Sequence, residues 1–225
     1  MTIPSVATFS ITSATEVIAA PGAGNYIHIV GIAFDNDDVD SDNNTKVRLQ
    51  DGSGGTDLYG GSTSSIYTPG KGGFFDLRMS YSHPYWDLSA NTALYITPSS
   101  SIRVNGTVWY YTDTNATVAP SHETFDISAN TSVISAVADQ TIKVIGLSIH
   151  NNSSDDENVH LTDGNAGTDL YGGANGAFYL INKGGTRQLG MSYDNPYFEL
   201  TTNTALYIKP TNSKTIGGVV WYIQS

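Results

Sequence analysis

The chain has 225 residues, no cysteine, ten Lys and Arg against 21 Asp and Glu, and a formal net charge of -11. The absence of cysteine excludes disulfides, thiolate catalysis and cysteine-ligated zinc together. The acidic balance opposes binding to nucleic acid and to anionic membranes, which reward clustered Lys and Arg, and no apolar run approaches the roughly 20 residues of a membrane-spanning helix.

Taken in chain order, residues 1–6 precede the first strand-like segment and are expected to form an arm. The opening MTIPSVATFS has neither the basic nor the apolar region of a signal peptide, so synthesis in the cytoplasm is expected. Apolar and polar residues then alternate in Tyr26-Ile27-His28-Ile29-Val30, in Lys46-Val47-Arg48-Leu49, in Ala93-Leu94-Tyr95-Ile96 and in Val104 to Tyr111, with β-branched and aromatic side chains throughout. Turn signals at Pro21-Gly22, Asp51-Gly52, Gly60-Gly61, Pro69-Gly70, His83-Pro84 and Pro98 separate these segments. Helical periodicity is nowhere sustained.

The second half repeats the first. GTDLYGG at Gly55 to Gly61 recurs at Gly167 to Gly173, and the same 112-residue offset carries Met79-Ser80-Tyr81 onto Met191-Ser192-Tyr193, NTALYI at Asn91 to Ile96 onto Asn203 to Ile208, and Val108-Trp109-Tyr110 onto Val220-Trp221-Tyr222. Upstream, with slightly shifted offsets, NYIHIVGIAF (Asn25 to Phe34) pairs with QTIKVIGLSI (Gln140 to Ile149), and Thr8-Phe9-Ser10-Ile11 with Thr124-Phe125-Asp126-Ile127. A duplicated unit of this kind predicts two tandem all-β sandwich domains, jelly-roll-like, of about eight short strands each, with Trp109 and Trp221 in their cores. The expected boundaries are residues 1–112 for the first domain, 113–122 for a linker and 123–225 for the second.

Three sets of side chains are candidates for chemistry. The run Asp35 to Asn43 places Asp38, Asp40 and Asp42 at the alternate spacing of a calcium loop, but Asn43 stands at the turn-glycine position and Leu49 at that of the bidentate glutamate, so a solvated hairpin tip is the simpler reading. The histidines differ between the copies: His28, His83, His150 and His160 correspond to Lys143, Asn195, Asp35 and Arg48, and His122 has no clear match. A duplicated metal or catalytic site does not diverge in this way, and surface polar roles are expected. Carboxylates are retained as Asp51 with Asp163, Asp57 with Asp169 and Asp87 with Glu199. Paired acids suit glycoside hydrolysis, but Asp51-Gly52 and Asp163-Gly164 read as turn dipeptides, and Asp57 and Asp169 stand near glycines where the side chain can bond to local backbone. No P-loop, GxSxG elbow, HExxH or dinucleotide motif occurs, so neither a catalytic residue nor a cofactor is expected.

The aromatic residues are the interface candidates: Tyr59, Tyr81, Tyr85 and Trp86 in the first copy, Tyr171, Tyr193, Tyr197 and Phe198 in the second. About half are expected in the core and the rest at an interface, where Tyr supplies contact area with little entropy to lose.

The succession NYIHIVGIAF, VRLQDGSGGTDLYGG, KGGFFDLRMSYSHPYWDLSANTALYI and GTVWYY resembles the small β-sandwich structural proteins of tailed phages, and the resemblance runs through both copies. It implies a non-enzymatic virion component, most simply a decoration or cement protein on the capsid exterior, partnered by the major capsid protein and by itself as a dimer or trimer. A carbohydrate- or receptor-binding module of a phage tail or fibre is the alternative.

Overall fold

A computed structural model describes residues 4–37, 45–59, 66–68, 73–80, 83–116, 119–171, 177–181 and 184–225, the side chain of Tyr67 aside. The chain divides into two compact units, Met1–Pro120 and Ser121–Ser225. Every strand pairing is antiparallel, and there is no helix among the described residues.

In the first unit the strands are β1 (Ser5–Ile11), β2 (Thr15–Ile18), β3 (Tyr26–Asn36), β4 (Thr45–Asp51), β5 (Thr56–Asp57), β6 (Ile66–Thr68), β7 (Phe74–Leu77), β8 (Trp86–Asp87), β9 (Leu94–Pro98) and β10 (Val104–Asp113). One sheet has the order β1-β10-β3-β7, with β8 also on β3; the other has β2-β9-β4-β5, with β6 also on β4. Because β5 and β6 share one neighbour, and β7 and β8 share another, ten strands fill eight positions. Those positions have the order 1-8-3-6 facing 2-7-4-5, which is the jelly roll.

The second unit repeats this plan. Its strands are β11 (Ser121–Ile127), β12 (Thr131–Ile134), β13 (Ile142–Asn151), β14 (Glu157–Asp163), β15 (Phe178–Leu180), β16 (Thr186–Leu189), β17 (Phe198–Glu199), β18 (Leu206–Pro210) and β19 (Ile216–Gln224). They form the sheets β11-β19-β13-β16, with β17 on β13, and β12-β18-β14-β15. Where the first unit has β5, the second has a single bridge between Thr162 and Asp169.

The expected boundaries shift by a few residues. Strand β10 runs on to Asp113 and β11 begins at Ser121, so the connecting segment is 114–120 and His122 lies within a strand. At the start, Ser5 and Val6 pair with Tyr110 and Trp109 instead of forming an arm.

The alternation seen in the sequence sorts side chains onto the two faces of each sheet. Ile27, Ile29, Phe34, Leu49, Phe75 and Ile96 are among those buried in the first unit, while Val144, Leu147, Ile149, Leu161, Ile208 and Val220 belong to the core cluster of the second. The two tryptophans part company: Trp221 is fully buried, whereas Trp109 is only half-buried.

The repeated glycines have specific tasks. Phe9 lies across from Gly106 and Phe125 across from Gly218 in the pairing of first strand to last. A Cβ on Gly106 would sit 2.4 Å from the Phe9 ring and 2.6 Å from the Ala33 carbonyl oxygen; on Gly218 it would sit 2.6 Å from the Phe125 ring and 2.3 Å from the Ser148 carbonyl oxygen. A β-bulge at Val30 and another at Ile145 mark the same point in the central strand of each unit. In the DGxxG turns, Gly52 and Gly164 have φ of +88° and +84°, a region costly for any residue with a Cβ.

Gly106→Ala and Gly218→Ala are each expected to destabilise their own unit by about 1–3 kcal/mol through overpacking. Urea unfolding checks this, and an unchanged midpoint contradicts the Phe-on-Gly packing.

Candidate functional site

The three retained carboxylate positions come first, because each turns out to brace the fold. Asp51 Oδ2 accepts hydrogen bonds from the Ser89 N–H (2.9 Å) and hydroxyl (2.6 Å), and Asp163 Oδ2 accepts the same pair from Thr201, also at 2.9 and 2.6 Å. Burial alone would raise the Asp163 pKa, but the Thr201 and Thr204 hydroxyls and the Thr201 N–H outweigh it and hold the group below the usual carboxylate value. Asp57 does not bond to local backbone as its glycine neighbours suggest. It takes the Arg48 guanidinium through both oxygens, at 3.2 and 2.8 Å on Oδ2 and 3.0 Å on Oδ1. In the second unit His160 replaces Arg48 and lies 3.2 Å from Asp169. The third pair is His28 with Asp87 in one unit and Lys143 with Glu199, 3.9 Å apart, in the other. His28 and His160 thus stand where the other copy has Lys143 and Arg48, each facing a retained carboxylate, a relation visible only once β3 and β8, or β4 and β5, are seen side by side.

The expectation that the histidines are surface polar residues fails for His28 and His150, both fully buried. His150 Nε2 bonds to the Asn152 side chain at 2.9 Å. His28 is 0% exposed, with Nδ1 2.6 Å from Asp87 Oδ1 and Nε2 2.9 Å from Asp113 Oδ1. The Tyr111 ring stacks on it at 4.6 Å. Burial by itself lowers the His28 pKa, but hydrogen bonds and charge from Asp87 and Asp113 overcome that and raise it above 6.5. Burial, and then the charges of Asp113 and Asp87, push the Tyr111 hydroxyl up to about 12. Asp113, despite some burial, is held below its usual value by the Asn115 N–H and side-chain amide and by His28. The His28 ring is closed to solvent, and its two nitrogens are taken up by Asp87 and Asp113.

Among the described residues no group of three or more His, Asp and Glu side chains is arranged to hold a metal ion. Asp38, Asp40 and Asp42 lie outside the described residues.

The aromatic candidates separate by unit. Tyr59 is 1% exposed and Tyr85 and Trp86 are equally buried, so these three are core residues and not interface residues; Tyr81 lies outside the described residues. In the second unit Tyr171 is 43% and Tyr197 42% exposed, while Tyr193 and Phe198 are half-buried. For Tyr59 and Tyr171 the sheet differs at two matching positions. Tyr59 meets the Phe75 ring edge-on at 5.5 Å, but at the matching position, opposite Ile149, the second unit has Arg187. Tyr171 instead stacks at 4.2 Å on Phe178, which stands where the first unit has Ile66. Tyr85 and Tyr197 share a structural duty: each hydroxyl donates to the backbone carbonyl seven residues upstream, Arg78 or Gly190, at 2.8 Å.

Sequence reasoning missed Tyr179 in the edge strand β15 and Ile181 just after it, both exposed, and Phe74 in the first unit. The alternation Phe178-Tyr179-Leu180-Ile181 carried the signal, since Phe178 and Leu180 point into the core and their neighbours must point out.

No protein-family model and no curated protein sequence matches the chain.

Two outcomes follow. A histidine whose folded-state pKa exceeds its unfolded value of about 6.5 stabilises the fold fully below about pH 6.5, and the contribution is lost as pH rises through the higher folded value. His28→Ala is therefore expected to cost about 3–5 kcal/mol near pH 6, by leaving Asp87 without its buried partner, and less at pH values above the folded-state pKa; urea unfolding across that range checks both. Tyr85→Phe and Tyr197→Phe are each expected to cost about 1 kcal/mol, measured in the same way, and an unchanged midpoint contradicts the assigned hydroxyl contacts.

Proposed function

We propose that the protein is a non-enzymatic structural component of a tailed-phage virion, most simply a decoration protein bound to the outer surface of the capsid. The observation that carries this reading is how the two copies differ. Ion pairs, turn glycines, the Phe-on-Gly contacts and the tyrosine struts are kept in both, whereas Tyr171 and Tyr197 are exposed where Tyr59 and Tyr85 are buried. A scaffold retained while its surface changes suits two similar bodies that meet different neighbours in a shell. Linking them in one chain makes the second contact intramolecular, with a high effective concentration. The acidic charge is tolerable outside a capsid and unfavourable beside packaged DNA.

Exposed tyrosine rings also favour a second reading, stacking on sugars by a tail or fibre module. Co-sedimentation with emptied capsids of the encoding phage, run beside a glycan array, separates the two. Capsid binding without glycan binding is expected, and Tyr171→Ser combined with Ile181→Ser is expected to weaken it roughly tenfold or more. Glycan binding without capsid binding overturns the proposal.

A further inference from the structure

His28 lies on the outward side of β3, opposite Asp87 of β8 and Tyr111 of β10, and its two ring nitrogens both face carboxylate oxygens. Two ionised carboxylates can only accept, so a ring that bonds to both carries hydrogen on both nitrogens and is the imidazolium. The same two carboxylates hold the segment that leaves the first unit. Asp87 Oδ2 accepts the Ala119 N–H at 2.7 Å, while Asp113 accepts the Asn115 N–H at 2.7 Å on Oδ1 and the Asn115 side-chain amide at 2.9 Å on Oδ2. The two carboxylates that hold His28 are therefore also the ones that bond Asn115 and Ala119.

We propose that Asp87, His28 and Asp113 form a pH-operated clasp, which holds Asn115 and Ala119 while His28 is protonated and releases Asn115 when His28 is neutral. A neutral imidazole keeps one N–H and turns a lone pair toward the other carboxylate, so one of the two links becomes repulsive. Asp113 is the partner that yields: its side chain is 34% exposed at the end of a strand, against 10% for Asp87 within the sheet. The titratable groups facing His28 are Asp87 from β8 and Asp113 and Tyr111 from β10; the segment Thr114 to Pro120 carries none. Tyr111 keeps its proton until about pH 12, and so leaves the intervening range to His28. The second unit lacks this device, because Lys143 stands in place of His28 and Ser225 in place of Asp113.

The test is NMR on the full chain from about pH 5.5 to about pH 9.5, a range that brackets an upward-shifted histidine. Ring nitrogen shifts report the His28 protonation state, and heteronuclear NOEs of the Asn115 and Ala116 amides report order in the segment. The NOEs are expected to fall with the midpoint of the ring titration, above pH 6.5. His28→Lys should keep the segment ordered across the range, and Asp113→Asn should lower the ring midpoint by about one unit and loosen Asn115 even at the acid end. Should His28→Lys fail to fold, the wild type and Asp113→Asn still decide. A ring already neutral near pH 6, or amides equally ordered on both sides of the ring titration, overturns the clasp.

Discussion

The antiparallel pairing of the long central strand with the last strand, β3 with β10 and β13 with β19, is the constraint on which each unit depends. It joins residues from opposite ends of the unit, so much of what lies between must return in hairpins and crossings that end beside it. The bulge at Val30 or Ile145 places Gly31 or Gly146 opposite a tryptophan. The last strand in turn receives the first, Phe over Gly, and the result is a sheet with little tolerance for added volume at those glycines.

Onto that pair the sequence hangs its charges. Beyond the bulge, His28 meets Asp87 and Lys143 meets Glu199, so the sign of each position is kept while the residue changes. The same rule governs Arg48 with Asp57 and His160 with Asp169. At His28 the carboxylates of Asp87 and Asp113 raise the ring pKa, which makes that pair sensitive to pH. Duplication thus left two bodies with one architecture and different charged pairs.

Much of the fold is legible in the order of residues alone. Alternation marks the strands, the DG dipeptides at Asp51-Gly52 and Asp163-Gly164 mark turns, and the internal repeat implies two sandwiches, while the turn signals at Gly60-Gly61 and Pro69-Gly70 lie outside the described residues. The burial of the aromatic candidates is less legible, because Tyr59 and Tyr171 occupy the same motif but have different surroundings, with Arg187 in place of Phe75 and Phe178 in place of Ile66, residues brought near by the sheet and not by the sequence. The His28 cluster is hidden for the same reason: Asp87 and Asp113 are distant in the chain, and lack of correspondence between copies argues against a role that the ion pair in fact preserves. The strand boundaries near 113 and 121 are blurred by a polar stretch whose anchors are side chains and not turn residues.

The proposal that this scaffold serves a virion shell turns on where the chain resides. Cryo-electron microscopy of purified virions of the encoding phage addresses it most directly. The account predicts density for paired β-sandwiches on the outer face of the capsid, repeated with its symmetry. Density confined to the tail, or particles that lack the chain altogether, would contradict it.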